Sequence, residues 1–340
     1  MRILIFVISL FFSFNSIGQD VSICNWKSDK KAAVVLTFDD WLDCHEKLVV
    51  PMLVDKSIPA TFFITLNNVK QKAAGDSILK FAQENGLEIA NHTISHPDLT
   101  SIKFKEVARE IFTTREFIRS HIPGAKSLTF AYPMGTKNPE IINYVKKNHI
   151  GARGVSSASE GDIKYDFVIS PDDYYRIKTV RVWRVLSRNK MGKWIDFAKE
   201  GGGLLTFMIH SVYNDSIPKG WDAMPDKFLN DVCDTLLSHK DEVWLTTFED
   251  AIQYHKEKSS TLLKIHSQKE LKVVFSLTCT LDKNKFDEKL TIKINLKGRT
   301  VKSIFQGKEN ISHTIDGNYM LFDINPFGKK VTVKFEKSIH

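Results

Sequence analysis

The stretch Ala32-Ala33-Val34-Val35-Leu36-Thr37-Phe38-Asp39-Asp40 reads as a strand buried on both faces that ends in two adjacent carboxylates. An apolar run without polar alternation is what a parallel sheet covered by helices requires. Outward from it, an amphipathic stretch covers Asp43 to Lys56, and Pro59-Ala60-Thr61-Phe62-Phe63-Ile64 is a second strand. A helix near Ser77 to Glu84, the strand Leu87 to Ala90, a helix over Phe104 to His121 and the strand Ser127 to Phe130 follow. Pro139 to Asn148 and Met191 to Glu200 read as helices, and Gly201-Gly202-Gly203 breaks the second before the strand Leu204 to Ile209. Val243 to Thr246 and Phe248 to Lys256 close the series. Strands alternating with helices imply βαβ units, about seven of them between Lys31 and Lys256, in a parallel sheet or barrel.

After Lys258-Ser259-Ser260 the pattern turns to period two. Leu262 to Ile265, Leu271 to Leu277, Leu290 to Leu296, Val301 to Gln306, Tyr319 to Ile324 and Val331 to Phe335 alternate, with turn signals such as Lys297-Gly298 and Asp316-Gly317-Asn318 between them. This predicts an α/β domain over residues 19–258 and a small all-β, sandwich-like domain over 259–340. At the other end, Met1-Arg2, the apolar run Ile3 to Phe14 and the small residues Ser16 and Gly18 have the layout of a signal peptide over 1–18. The protein is therefore expected to be exported, periplasmic or secreted. The apolar run is too short to span a bilayer, so no transmembrane segment is expected in the mature chain.

The composition, 42% hydrophobic and 26% charged over 340 residues, excludes disordered, collagen-like and coiled-coil chains. The net charge of +8 is uneven: residues 261–340 hold 15 Lys and Arg against 8 Asp and Glu. Alternating Lys is what the solvent face of a strand carries, and no nucleic-acid partner is expected. Cys24, Cys44, Cys233 and Cys279 are compatible with disulfides in three pairings or with buried free thiols, and no CxxC pair suggests a cysteine zinc site.

Three polar clusters fall at the C-terminal ends of predicted strands, where βα folds place their active sites. They are Thr37-Phe38-Asp39-Asp40, Asn91-His92-Thr93-Ile94-Ser95-His96-Pro97 and Ile209-His210. His92 and His96 are four residues apart, so both imidazoles can reach one cation. Two His and one carboxylate plus water make a catalytic site with open positions. Zn²⁺ is the first choice for such donors, although Co²⁺, Ni²⁺ and Fe²⁺ accept the same set. Either motif alone is weak; together at strand ends, with a third His, they carry weight.

These residues resemble the polysaccharide deacetylase family, the NodB-homology domain of carbohydrate esterase family 4. Thr37-Phe38-Asp39-Asp40 resembles its first motif, His92-Thr93-Ile94-Ser95-His96 its second, Phe130-Ala131-Tyr132-Pro133-Met134-Gly135 its third and Met208-Ile209-His210 its last. Pro59-Ala60-Thr61-Phe62-Phe63 is similar to the segment between the first two. The resemblance spans Lys31 to Lys256 and implies a distorted, incomplete (β/α) barrel that removes N- or O-linked acetyl groups from a polysaccharide or oligosaccharide. It implies that Asp40, His92 and His96 bind one divalent metal, that Asp39 is the general base and His210 the general acid, and that the Met134 backbone N–H holds the oxyanion. A glycan on the Asn91-His92-Thr93 acceptor would block the metal, which favours a bacterial source.

The sequence departs from the family pattern at four places. Trp41 stands where Gly is usual, and it is a groove candidate together with Tyr132, Pro133 and Trp221. Ala131 replaces the Arg that orients the base, and Arg153 is the candidate to stand in, against an ordinary surface Arg. Met134 replaces an aromatic. The Asp-Trp fourth motif has no clear match, although Asp162 and Asp166 lie nearby. Elsewhere His45 is expected on a helix surface, His121, His149, His239 and His255 are expected to be exposed, and Trp183, Trp194 and Trp244 to be core. Two rival readings stand: a catalytically silent glycan-binding protein on the same fold, and docking to glycan or a partner by the C-terminal β domain.

Overall fold

The structure, a computed structural model, describes residues 20–72, 75–155, 174–182 and 188–336. The expected signal peptide, Asp162, Asp166 and Trp183 lie outside the described residues. After a short strand β1 (Val21–Ile23), the chain builds one parallel sheet from β2 (Ala32–Asp40), β3 (Ala60–Ile64), β4 (Glu88–Asn91), β5 (Thr129–Ala131), β6 (Gly151–Arg153), β7 (Val180–Arg181) and β8 (Leu204–Ile209). Their lateral order is β6-β5-β4-β3-β2-β8-β7. Two short strands, β9 (Val212–Tyr213) and β10 (Met224–Pro225), pair with each other, and β11 (Val243–Leu245) adds to the start of β2. The helices are α1 (Val50–Asp55), α2 (Leu66–Lys70), α3 (Ser77–Glu84), α4 (Phe104–His121), α5 (Pro139–Asn148), α6 (Arg188–Gly201), α7 (Asp226–Ser238) and α8 (Phe248–Ser259).

The sheet curls into an incomplete barrel. Among the described residues its terminal strands β6 and β7 share no regular ladder; an isolated bridge from Arg153 to Ile177 and the Gly154 N–H donating to the Ile177 carbonyl (3.0 Å) lie at the seam. β6 and β7 are three and two residues long without an apolar run, so the sequence pattern passes over both. Side chains of β2 alternate as the pleat requires. Val34, Leu36 and Phe38 pack outward among Leu53, Ile195 and Leu229 of the helices, while Ala33 and Val35 face inward with Phe63, Ala90 and Ala131. This alternation carries the inward face on through Thr37 to Asp39 at the strand's C-terminal end.

α8 crosses the opposite, N-terminal pole. The Phe248 N–H donates to Thr61 Oγ1 (2.8 Å) and the Glu249 N–H to Glu88 Oε2 (2.9 Å), both near the starts of their strands. Gly151, the first residue of β6, lets the helix in, because a Cβ there would lie 3.0 Å from Ile252.

Beyond α8 two antiparallel sheets form a sandwich. One has the order β1-β14-β18-β17, with β14 (Leu290–Asn295), β17 (Thr314–Asp316) and β18 (Tyr319–Ile324). The other runs β12-β13-β19-β15-β16, from β12 (Thr261–Lys269), β13 (Lys272–Cys279), β15 (Thr300–Gln306), β16 (Glu309–Asn310) and β19 (Val331–Glu336). Phe275, Val333, Ile292 and Phe322 bring their inner faces into one core that continues through Tyr254 and Trp26 to the barrel. The division expected at residue 258 groups Asp20–Ile23 with the barrel; in the structure β1 pairs antiparallel with β14, Val21 opposite Ile294, and completes a sandwich sheet. All four cysteines are free thiols. No helix among the described residues is long and apolar enough to cross a membrane.

Candidate active site

The ends of β2, β4, β6 and β8 converge at the C-terminal pole. β2 terminates in a turn with Asp40 and Trp41 both in the left-handed region (φ 75° and 59°). Two donors hold that turn: Thr65 Oγ1 (3.0 Å) and Asn68 Nδ2 (2.8 Å) donate to the Asp40 carbonyl. The turn swings the Asp40 carboxylate over the end of β4, where His92 Nε2 lies 3.7 Å and His96 Nε2 3.8 Å from its Oδ1. One ligand atom from each of the three residues falls within 4.8 Å of the others. His92 Nδ1–H donates to the Ala131 carbonyl (2.8 Å), which leaves Nε2 as the lone-pair nitrogen facing Asp40. Two imidazole nitrogens and a carboxylate oxygen this close together are a donor set that fits a divalent ion such as Zn²⁺.

Asp39 points the other way, into the barrel, and is 2% exposed. Arg153, fully buried, closes a guanidinium hydrogen bond on Asp39 Oδ1 and stacks over the Phe63 ring at 4.4 Å. Burial works to raise the Asp39 pKa, but Arg153 foremost, with His92 and His210, outweighs it and holds the carboxyl below the usual carboxylate range. Asp39 Oδ2 remains open toward His210, whose Nε2 is 3.9 Å away.

His210 follows β8 directly. Its Nδ1–H donates to Asp222 Oδ2 (3.0 Å), and Asp222 is paired in turn with Arg181 (3.2 Å). Burial opposes ionisation of Asp222, yet its bond to His210 and the charges of His210 and Arg181 bring its pKa below the ordinary value. The Trp221 ring meets the His210 ring edge-on at 4.6 Å and is 66% exposed, an open aromatic face beside the imidazole. Met134 is also exposed, in a left-handed turn (φ 56°) between Pro133 and Gly135. Gly135 (φ 74°) lies so close to Val155 that a Cβ would come within 2.9 Å of its backbone nitrogen.

Other expectations need correction. Trp41 is no groove wall: it is fully buried, donates from Nε1 to Glu46 (2.9 Å) and packs edge-on against Phe62. Tyr132 and Pro133 are buried too; the third motif packs Tyr132 against Phe130 and the α5 side of the sheet. His45 is not on a helix surface. It is fully buried, accepts from the Leu42 N–H at Nδ1 and donates from Nε2 to the His210 carbonyl (2.6 Å), and burial pushes its pKa down to about 4. His149 is buried beside Phe130 rather than exposed, and His239 and His255 are half-buried.

Asp222, Arg181, His45 and Glu110 all touch this site, and the sequence reading assigns none of them to it. The available signal was Asp222 directly after Trp221, in the loop following His210. The remaining contacts are tertiary, between residues up to 165 apart in sequence for His45 and His210.

Residues 27–152 match the polysaccharide deacetylase family model. The chain is 38% identical over 91 residues to a chitooligosaccharide deacetylase of Rhizobium leguminosarum bv. trifolii, 26% of this chain and 41% of that one. It is 21% identical to a gellan lyase of a Bacillus species over 82% of its own length but 11% of the lyase. It thus spans well under two thirds of both relatives. A crystal structure from Mycobacterium smegmatis, described as a candidate polysaccharide deacetylase, superposes with a TM-score of 0.50 at 14% identity, covering 70% of this chain and 94% of that one, and shares the fold. The similarity to the polysaccharide deacetylase family is thus carried by residues 27–152, which hold Asp39, Asp40, His92, His96 and Met134, while His210 lies beyond the matched segment.

Proposed function

We propose that this protein is an exported, metal-dependent hydrolase that removes acetyl groups, N- or O-linked, from a polysaccharide or oligosaccharide. The observation that carries the reading is the pairing of two differently partnered aspartates at one strand end: Asp40 facing two imidazoles, Asp39 facing an arginine and a third imidazole. Export rests on residues 1–18 alone.

Asp40, His92 and His96 would hold the ion, which when bound lowers the pKa of a water from 15.7 towards ~7 and polarises a carbonyl. Asp39 is ionised at neutral pH because Arg153 stabilises the carboxylate, and its free Oδ2 takes the proton as water attacks the acetyl carbon. A carboxylate held so low is a weak base; the acidified water narrows that gap. The Met134 backbone N–H is assigned to the oxyanion by resemblance. His210, oriented through Nδ1 by Asp222, gives a proton from Nε2 to the departing nitrogen or oxygen. Trp221 offers a flat apolar face beside that acid, suited to a sugar ring. The sandwich packs against the N-terminal pole, so glycan docked there would bind away from the reacting groups.

The test is acetate release from a panel of N- and O-acetylated glycans, with chelator and with added Zn²⁺ or Co²⁺, beside D39N. Metal-dependent acetate that disappears in D39N supports the proposal and names the linkage. Metal-loaded protein that releases none from any substrate would favour the silent binding reading.

A further inference from the structure

We infer that Glu110 is the positioning residue of the candidate metal site: from α4 it fixes the loop between His92 and His96 so that both imidazoles face Asp40. The inference rests on the metal reading above and adds to it a residue outside the family motifs.

The loop folds against its own preference. Thr93 and His96 both adopt left-handed backbone (φ 73° and 57°) although neither is glycine, so something outside the loop must hold it. Its N–H groups have no sheet or helix partner, and each finds a side chain. The Thr93 N–H donates to Asn91 Oδ1 (3.0 Å), at the end of β4, and the His96 N–H to Thr93 Oγ1 (3.1 Å), within the loop. The two between, Ile94 N–H (2.8 Å) and Ser95 N–H (2.9 Å), converge on one oxygen of Glu110, whose other oxygen accepts from Ser95 Oγ (3.0 Å). Successive N–H groups turned to one side form a concavity that suits an anion, and here a carboxylate of the chain itself fills it.

Glu110 is 3% exposed and belongs to the middle of an 18-residue helix packed on β4, so its position is set by the fold and not by the loop. From the other side, the Leu66 and Asn67 N–H groups at the start of α2 donate to the Thr93 and Ile94 carbonyls (3.1 and 2.9 Å). The loop is thus clamped between α2 and α4, and of the two clamps only Glu110 reaches it with a side chain.

Metal-free protein is titrated with Zn²⁺ and with Co²⁺ against a chromophoric chelator, and the visible spectrum of the Co²⁺ form is recorded, at a temperature where unfolding curves show every variant folded. Wild type should take up one equivalent. E110A should bind about 10- to 100-fold more weakly, with a shifted Co²⁺ spectrum, the range seen when outer partners of metal ligands are removed. E110Q keeps an acceptor for the two N–H groups and can donate to Ser95 Oγ, so it should stay within about threefold of wild type by the same reasoning. If E110A does not fold, E110D, which withdraws the carboxylate by one methylene, takes its place with the same expectation. A folded E110A or E110D with wild-type affinity overturns the inference, as does an E110Q as weak as E110A, which would point to charge instead of positioning. Wild type that binds no metal overturns the metal reading itself, a separate failure.

Discussion

Ala131 and Arg153 are direct neighbours in the β5–β6 ladder, and it is Arg153 whose guanidinium reaches Asp39. Residues in register on adjacent parallel strands project to the same face at the same level. An Arg on β6 can therefore serve the carboxylate that the family resemblance leads one to expect an Arg on β5 to serve, provided the β5 position is small. Ala131 is small and fully buried, and it leaves the room.

That register predicts a rescue. R153A leaves a buried carboxylate without its cation, which costs about 3–5 kcal/mol and pushes Asp39 toward its protonated, inactive form. Activity should fall about a hundredfold or more, the scale of general-base catalysis. The double variant A131R/R153A returns the charge from the adjacent strand and should recover much of both losses. Thermal unfolding and acetate release check it; a double variant no better than R153A would mean that the level of the charge is not what matters.

Asp222 makes a second prediction, about the acid. Its bond to His210 Nδ1 fixes the ring so that Nε2 turns toward Asp39. H210A should slow amide cleavage by about 10²- to 10⁴-fold, the range for general acids, and ester cleavage much less, because an amine leaves poorly without a proton. D222A should reproduce that pattern in weaker form with metal content unchanged. Equal losses on paired N- and O-acetyl substrates would count against His210 as the proton donor.

The barrel is legible in the sequence because strands buried on both faces are short continuous apolar runs, and β2, β3 and β8 are such runs. β6 is not: Gly-Ala-Arg is a strand only because β5 and the 174–177 segment pair with it. The residues at strand ends are legible from their chemistry. Their surroundings are not, since Glu110, Asp222 and His45 act through tertiary contacts that span from 12 residues for Asp222 and His210 to 165 for His45 and His210. Trp41 shows the limit best. Aromatic character next to a motif suggests a sugar platform, yet the left-handed turn aims the indole into the core.

Trp41 and Trp221 should accordingly fail in opposite ways when removed. W41G loses a large core side chain, worth about 3–5 kcal/mol, of which relief of the left-handed backbone returns about 1 kcal/mol. The melting temperature should drop while KM for glycan stays the same in the folded fraction. W221A removes an exposed ring and should leave stability within about 0.5 kcal/mol but raise KM several-fold. Steady-state kinetics beside thermal unfolding separate them; a raised KM in W41G with unchanged stability would return Trp41 to the groove.

At the far pole, Glu88 and Glu249 predict how stability changes with pH. Burial drives the Glu88 carboxyl up to about 7 and the Glu249 carboxyl up to about 8, the latter raised further by the neighbouring Glu88 charge. Glu88 accepts from Thr61 Oγ1 (2.6 Å), from Thr129 and from the Glu249 N–H, bonds that favour its charged form. Glu249 accepts from Gln253 (3.0 Å) and, at 3.4 Å, from Leu128, so it is the better place for a shared proton. A carboxyl whose pKa is higher folded than unfolded binds more protons in the fold, and its contribution is fully present below the unfolded pKa of 4.5. That contribution is lost as pH rises through the folded value near 8. Glu249 should therefore lower wild-type stability progressively as pH rises from 4.5 to about 8. E249Q, neutral at every pH, should remove this slope, so that the stability gap between the two proteins widens toward pH 8 by more than about 1.4 kcal/mol, the size of one pKa unit. Parallel curves for wild type and E249Q would mean that the proton lies elsewhere.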